Sequence, residues 1–235
     1  MILSLISTKG GTTKSTIVLT VGTSKAFQKH FKSVALVDFD EQGTITEWWE
    51  SRQNLGLPKK HFDVFNVSDL SESETQNKLL SITESHDCVI LDIPGQSTAG
   101  YETQIGCLLA DIIILPTRSS TNDESAVFKH LVPIVHEILS NNPEKQGNFH
   151  VLPSFTHPLA NLKTLGDYFK EILPDYIKYL NAPIPARSVF ENFNRNGMTL
   201  YDYKKAVSSN KKLEEQANKG IADVERLAKA ILNLS

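Results

Sequence analysis

Cysteine is nearly absent: Cys88 and Cys107 are the only two in 235 residues. Neither sits in a metal-ligand spacing, so a disulfide framework, a zinc ribbon and a paired-cysteine iron–sulfur centre are all excluded, and a reducing, cytoplasmic setting is expected. No apolar run approaches the roughly 20 residues of a membrane span, and Met1-Ile2-Leu3 is too short for a secretory core. The seven histidines form no H-x-x-x-H or H-E-x-x-H arrangement. His130 and His136 share no helix face well, and no nucleophile–histidine–acid set can be assembled. Acidic and basic residues nearly balance, 27 against 24, which argues against a surface that is basic throughout but permits a local basic face. Internal repeats, low-complexity tracts and interdomain linkers are likewise missing.

What is present begins at once. The apolar run Met1 to Ile6 leads into Ser7-Thr8-Lys9-Gly10-Gly11-Thr12-Thr13-Lys14-Ser15-Thr16. A loop between a strand and a helix gathers backbone N–H groups around an anion, and the helix aims its positive dipole end at the same point. Lys14-Ser15 supplies the usual pair, a lysine for the β- and γ-phosphates and a hydroxyl for Mg²⁺. The ordinary pattern G-x-x-x-x-G-K-[ST] nevertheless fails at both glycines, where Thr8 and Thr13 stand. If the loop needs a positive φ at position 13, threonine adopts it at a steric cost.

Two more motifs follow in order. Leu36-Val37-Asp38-Phe39-Asp40-Glu41-Gln42-Gly43 ends a strand, and its carboxylates at i and i+2 point to one side. Val89-Ile90-Leu91-Asp92-Ile93-Pro94-Gly95 carries one aspartate on an apolar strand to the sheet edge, as a Walker B strand does, with Gly95 and Gln96 placed near a γ-phosphate.

The three motifs together resemble the ParA/MinD family of deviant Walker A P-loop ATPases, and most of all its short ParA-type plasmid partition members. The loop here is K-G-G-x-x-K-[ST], lacking the family's common glycine at Thr13. The second motif is similar to D-x-D-x-Q-G, with Glu41 where proline is common. The resemblance runs from Met1 to about Tyr203. It implies that ATP or ADP is held by Lys9, Gly10, Gly11, Thr12, Thr13, Lys14, Ser15 and Thr16. It also implies that Lys9 reaches the nucleotide of a partner subunit, making ATP the glue of a homodimer. By the same resemblance Asp40 is expected to orient the hydrolytic water beside Lys9 and Lys14, and Ser15, Asp38 and Asp92 to serve Mg²⁺. The late stretch Ile184 to Phe190, with Pro185, is similar to the segment that lines the family's adenine pocket.

Coarse patterning predicts strands over Met1–Ser7, Ser33–Asp40, Phe62–Val67, Cys88–Ile93, Asp111–Pro116 and Asn148–Ser154. Helices are predicted over Lys14–His30, Thr44–Gln53, Glu74–Ser85, Glu124–Ser140, Leu159–Leu173 and Asn210–Leu234. Near-continuous β-branched runs alternating with helices indicate an α/β fold: a mostly parallel twisted sheet covered on both faces. It is read as one P-loop ATPase domain over 1–235 without an N-terminal helix-turn-helix domain. Of Trp48 and Trp49, one is expected to pack and the other to be exposed.

By the resemblance the function is DNA segregation, plasmid or mobile-element partitioning, by a cytoplasmic, nucleoid-associated ATPase stimulated by a ParB-like centromere-binding protein. Arg187, Arg195, Lys204, Lys205, Lys211, Lys212 and Lys219 are candidates for a late basic face on nonspecific DNA. Alternatives are a MinD-like membrane-positioning ATPase using the C-terminal helix, with Lys219, Arg226 and Lys229 among its apolar positions, a metabolic relative, and a nonhydrolysing scaffold.

Overall fold

In the computed structural model the described residues are 1–7, 13–58, 61–95, 100–118, 127–157 and 161–234. Among them, eight strands form one parallel system: β1 (Ile2–Leu5), β2 (Val34–Asp38), β3 (Phe62–Asn66), β4 (Cys88–Asp92), β5 (Ile112–Thr117), β6 (Phe149–Thr156), β7 (Ile177–Tyr179) and β8 (Ile184–Pro185). Their order is β3-β2-β4-β1-β5-β6-β7, with β8 paired to β6. Strands β1, β2, β4 and β5 are almost wholly buried, which explains their unbroken Val/Ile/Leu runs. Register brings Leu5, Asp92 and Asp38 level on adjacent strands, so three chain reversals open at one edge.

The helices are α1 (Lys14–Gly22), α2 (Lys25–His30), α3 (Thr44–Asn54), α4 (Glu72–Ser85), α5 (Tyr101–Leu109), α6 (Val132–Asn141), α7 (Leu162–Ile172), α8 (Val189–Asn192), α9 (Leu200–Ala206) and α10 (Lys211–Leu232). One core lies under α1, α2, α3, α9 and α10, and a second under α4 to α7 on the opposite face. The predicted helix over Lys14–His30 is two helices. Ser24 takes an extended conformation and its hydroxyl accepts from the Phe27 N–H, starting α2 afresh. Helix α5 escapes the periodicity reading because Gly106 interrupts it. A Cβ there would lie 2.8 Å from Ile93 and 2.9 Å from the Ser4 hydroxyl, so the glycine lets the helix sit hard on the sheet.

Helix α10 turns Ala217, Val224, Leu227, Ala228 and Ile231 into the first core. Among the described residues no helix is long and apolar enough to cross a membrane. Cys88 and Cys107 are buried and unpaired, and burial pushes both thiols up to about 12. His150 is a neutral core histidine: burial, and then nearby Lys178, pulls its pKa down to about 4.

A buried arginine ties the late segment to the sheet. Arg52 of α3, 1% exposed, donates to the Gly197 carbonyl (2.8 Å), to Asp202 (2.9 Å) and to the Pro58 carbonyl (2.8 Å). Its guanidinium also lies over the Trp48 and Phe62 rings. Asp202 in turn closes a capping box with Thr199 at the start of α9. Trp48, buried, donates its indole N–H to the Met198 carbonyl, while Trp49 is half-buried against the same core. Gly197 has φ +66°, and a Cβ on it would fall 2.3 Å from the Arg52 nitrogen, so no side chain fits. Truncating Arg52 leaves the Gly197 and Pro58 carbonyls without their donor and takes the cation away from Asp202, which keeps its Thr199 donors. Arg52→Ala is therefore expected to lower unfolding stability by about 3–5 kcal/mol in urea titrations; a loss below about 1 kcal/mol would contradict this account.

Candidate functional site

The site is assembled from chain reversals after β1, β2 and β4. Helix α1 starts at the end of the first loop with Lys14, Ser15 and Thr16, and its first turn carries no acidic residue. That end of the helix combines the positive dipole terminus with a lysine, a poor arrangement for isolated helix stability and a good one for an anion. Lys14 is only 6% exposed. The Ser15 hydroxyl donates to Asp92 Oδ2 at 2.5 Å, and among the described residues the buried Asp92 Oδ1 has no hydrogen-bond partner. Burial pushes the Asp92 carboxyl up to about 7; Lys14 and the Ser15 hydroxyl pull against this, and Asp38 and Asp40 add to it. Ionising Asp92 is therefore costly in the bare protein and becomes favourable once a cation arrives.

That orphaned oxygen is the test of whether Mg²⁺ fits. Among the described residues no group of three or more His, Cys, Asp or Glu side chains is arranged around a metal. Mg²⁺ seldom needs such a cage: one or two protein oxygens, waters and substrate phosphates suffice. Ser15 Oγ and Asp92 are hard oxygen donors, so the residues present fit the ion.

Asp38 and Asp40 do not do the same work. Asp38 is fully buried, and its Oδ2 accepts from the Ile45 N–H (3.1 Å), the Thr46 N–H (3.0 Å) and the Thr46 hydroxyl (3.0 Å). It thus caps α3, whose own N-cap, Gly43 at φ +60°, has no side chain to do so. Its other oxygen accepts from the Asp40 N–H at 3.2 Å. Asp38 is saturated mainly by backbone donors where the sequence pattern suggests metal support. Asp40 is half-buried, accepts from the Gln42 N–H at 3.0 Å, and faces the cleft.

The cleft measures about 480 Å³ and is lined by Thr13, Lys14, Ser15, Thr16, Asp40, Gln42 and Thr44 together with Phe155, Phe190, Glu191 and Asn194. Pro185 is buried in β8 and is not among the lining residues. Phe155 carried no sequence signal, whereas Gln42 and Phe190 lie inside motifs already singled out. Lys9, Gly10, Gly11, Thr12 and Gln96 lie outside the described residues.

The late basic residues divide into two groups. Arg187 is committed to Asp223 (2.5 Å), which also takes Arg226 (3.1 Å), so one carboxylate is shared between two guanidinium groups and Arg187 is held in place by it. Arg195 stands exposed on the turn Arg195–Gly197. Lys204 and Lys205 close α9, and Lys211 and Lys212 open α10 across a short reversal. Two lysines at a helix N-terminus oppose the dipole, so stability of the helix does not explain them. Lys219 pairs with Glu215 one turn away.

A family model described as VirC1 protein matches residues 1–234. Among solved structures the chain is similar to a plasmid partition protein of Borrelia burgdorferi B31 bound to AMPPNP, with 17% identity, 99% of this chain and 98% of that one covered, and a TM-score of 0.68. It is similar to apo McdA of Cyanothece (18%, 94% and 98% covered, TM-score 0.60). It is also similar to the septum site-determining protein MinD of Pyrococcus horikoshii complexed with Mg-ADP (15%, 98% and 95%, TM-score 0.64). No curated protein matches. At these identities the structural likeness establishes the α/β fold of the ParA/MinD P-loop proteins.

Thr13, the residue before α1, has φ +72°. For a β-branched residue this is a strained conformation costing about 1–3 kcal/mol. Thr13→Gly is expected to raise the stability of the nucleotide-free protein by about 1 kcal/mol or more in thermal or urea melts. An unchanged or lowered midpoint would show that the threonine is held there without strain.

Proposed function

Because the chain belongs to the VirC1 family within the ParA/MinD class, we propose that it is a Mg²⁺-dependent ATPase of DNA segregation that works as an ATP-linked homodimer. The observation that carries this reading is the buried Ser15–Asp92 pair beside Lys14 at the N-terminus of α1, opening on a cleft that also holds Asp40. Mg²⁺, when bound, neutralises charge on the β- and γ-phosphates. Lys14 and the N–H groups at the start of α1 bind the same phosphates, while Ser15 and Asp92 offer the oxygens that hold the ion. Asp40, next to the phosphate end and partly open to solvent, orients the attacking water. The chemistry asked of the protein is thus positioning and electrostatics. Lys9 lies five residues before Lys14, and its role is to complete the partner subunit's site. A ParB-like protein would then stimulate hydrolysis and separate the two copies.

Two observations support DNA over a membrane surface as the substrate track. The apolar stripe of α10 is used in the core, so the helix has no such face left for a lipid surface. Lys204, Lys205, Lys211 and Lys212 flank the α9–α10 reversal, the last two in the first turn of a 22-residue helix beside Glu214, and a helix N-terminus suits phosphate.

The homodimer is tested by sedimentation with Mg²⁺ and AMPPNP. Wild type should shift from monomer to dimer, and Lys9→Ala should bind the analogue yet remain a monomer. The same oligomer with and without analogue would overturn the proposal.

DNA binding is tested by salt titration of ATP-dependent association with nonspecific duplex. Each phosphate that a lysine neutralises steepens the log–log salt slope by roughly 0.9, so replacing Lys204, Lys205, Lys211 and Lys212 with alanine should flatten it by about 3–4. An unchanged slope would move the interface elsewhere.

A further inference from the structure

The turn that presents Asp40 to the cleft is held by a chain of hydrogen bonds that begins outside it. The Asp40 N–H donates to Asp38 Oδ1 at 3.2 Å, so the setting of the Asp38 carboxylate decides where Asp40 sits. The last torsion of an aspartate has no sharp preferred angle, and the plane of its carboxylate is left to its donors. Asp38 is fully buried, and its Oδ2 takes three of them: the Ile45 N–H, the Thr46 N–H and the Thr46 hydroxyl. Capping α3 calls for the two N–H groups alone. The hydroxyl is a further restraint on the same oxygen, and Asn66 stands behind it.

Asn66 is the last residue of β3 and lies in register with Asp38. Its Nδ2 donates to Thr46 Oγ at 3.0 Å. The amide is not free to turn round, because its Oδ1 accepts from the Ser68 N–H at 2.8 Å and from the Ser68 hydroxyl at 2.8 Å. A backbone N–H can only donate. Thr46 Oγ therefore accepts on the Asn66 side, and its one proton goes to Asp38.

We propose that Thr46, oriented by Asn66, is a positioning residue for Asp40: the relay from Asn66 through Thr46 to Asp38 keeps the buried carboxylate from turning, and so holds the Asp40 backbone and the side chain that lines the cleft. The inference rests on the ATPase reading above and adds the residues that keep its water-orienting group in place. Neither Thr46 nor Asn66 is among the cleft's lining residues. Their loss should be felt in the rate of turnover and not in the hold on nucleotide.

The test uses the full chain, with steady-state ATP hydrolysis in Mg²⁺ read as kcat and KM separately, and calorimetric binding of Mg-AMPPNP. Thr46→Val keeps the shape and the N–H but loses the hydroxyl. It should lower kcat about 10- to 100-fold and leave AMPPNP affinity unchanged, while Thr46→Ser should recover most of the loss. Asn66→Asp offers acceptors in place of the donor, draws the Thr46 proton away from Asp38, and should slow turnover as Thr46→Val does. The double variant should be no slower than the slower single one, because one relay is broken once. Wild-type kcat in Thr46→Val, a Thr46→Ser no better than Thr46→Val, or AMPPNP affinity lost in step with kcat would overturn the proposal. Additive losses in the double variant would overturn the part given to Asn66. Failure of the reading beneath looks different: wild type that hydrolyses no ATP, or Asp40→Asn that turns over at the wild-type rate, removes the role of Asp40 itself and this inference with it.

Discussion

A carboxylate shut away from water has to be answered by its neighbours, and for Asp92 those neighbours come from distant parts of the chain. Strand β4 carries it to the edge of the sheet, the reversal after β1 delivers Lys14 and Ser15, and β2 sets Asp38 level with it. The cost of holding this charge falls if a divalent cation and phosphates complete the group. Much of the fold can be understood as the means of keeping that place dry and in register. The centre is all-parallel and buried on both faces, with Gly22 and Gly106 where helices press on strands.

The two aspartates after β2 show how one short motif divides its labour. Asp38 fixes the start of α3 through three donors, and α3 then holds the late segment through Arg52 and Trp48. The residues just before it, Glu191 and Asn194, line the cleft. Asp38 therefore shapes the site from a distance, by way of a helix and a buried guanidinium, while Asp40, two residues later, stands in the cleft itself. The pairing of a fully packed carboxylate with a half-open one follows from where the chain turns.

The central architecture was legible in the chain because fully buried parallel strands leave uninterrupted β-branched runs, and because Lys14-Ser15, Asp40 and Asp92 belong to spaced motifs. What was not legible depended on tertiary contact. The break between α1 and α2 hangs on the extended backbone at Ser24 within an otherwise helical pattern. Helix α5 is hidden by Gly106, which is explained only by Ile93 and Ser4 lying against it. The capping duty of Asp38 needs α3 folded back over the strand tip. Phe155 is an ordinary residue in sequence and an unusual one in φ, at +50°, a difference no periodicity records. Arg187 reads as a free basic residue in the sequence, and only the fold sets Asp223 beside it.

The interior position of Cys88 and Cys107 has a practical corollary. Thiols that are sealed in the two cores and that ionise only near pH 12 are poor nucleophiles at neutral pH. The native protein is thus nearly silent towards maleimides and iodoacetamides. A single cysteine engineered on its surface would accept a fluorophore or spin label selectively, without first clearing the natural ones.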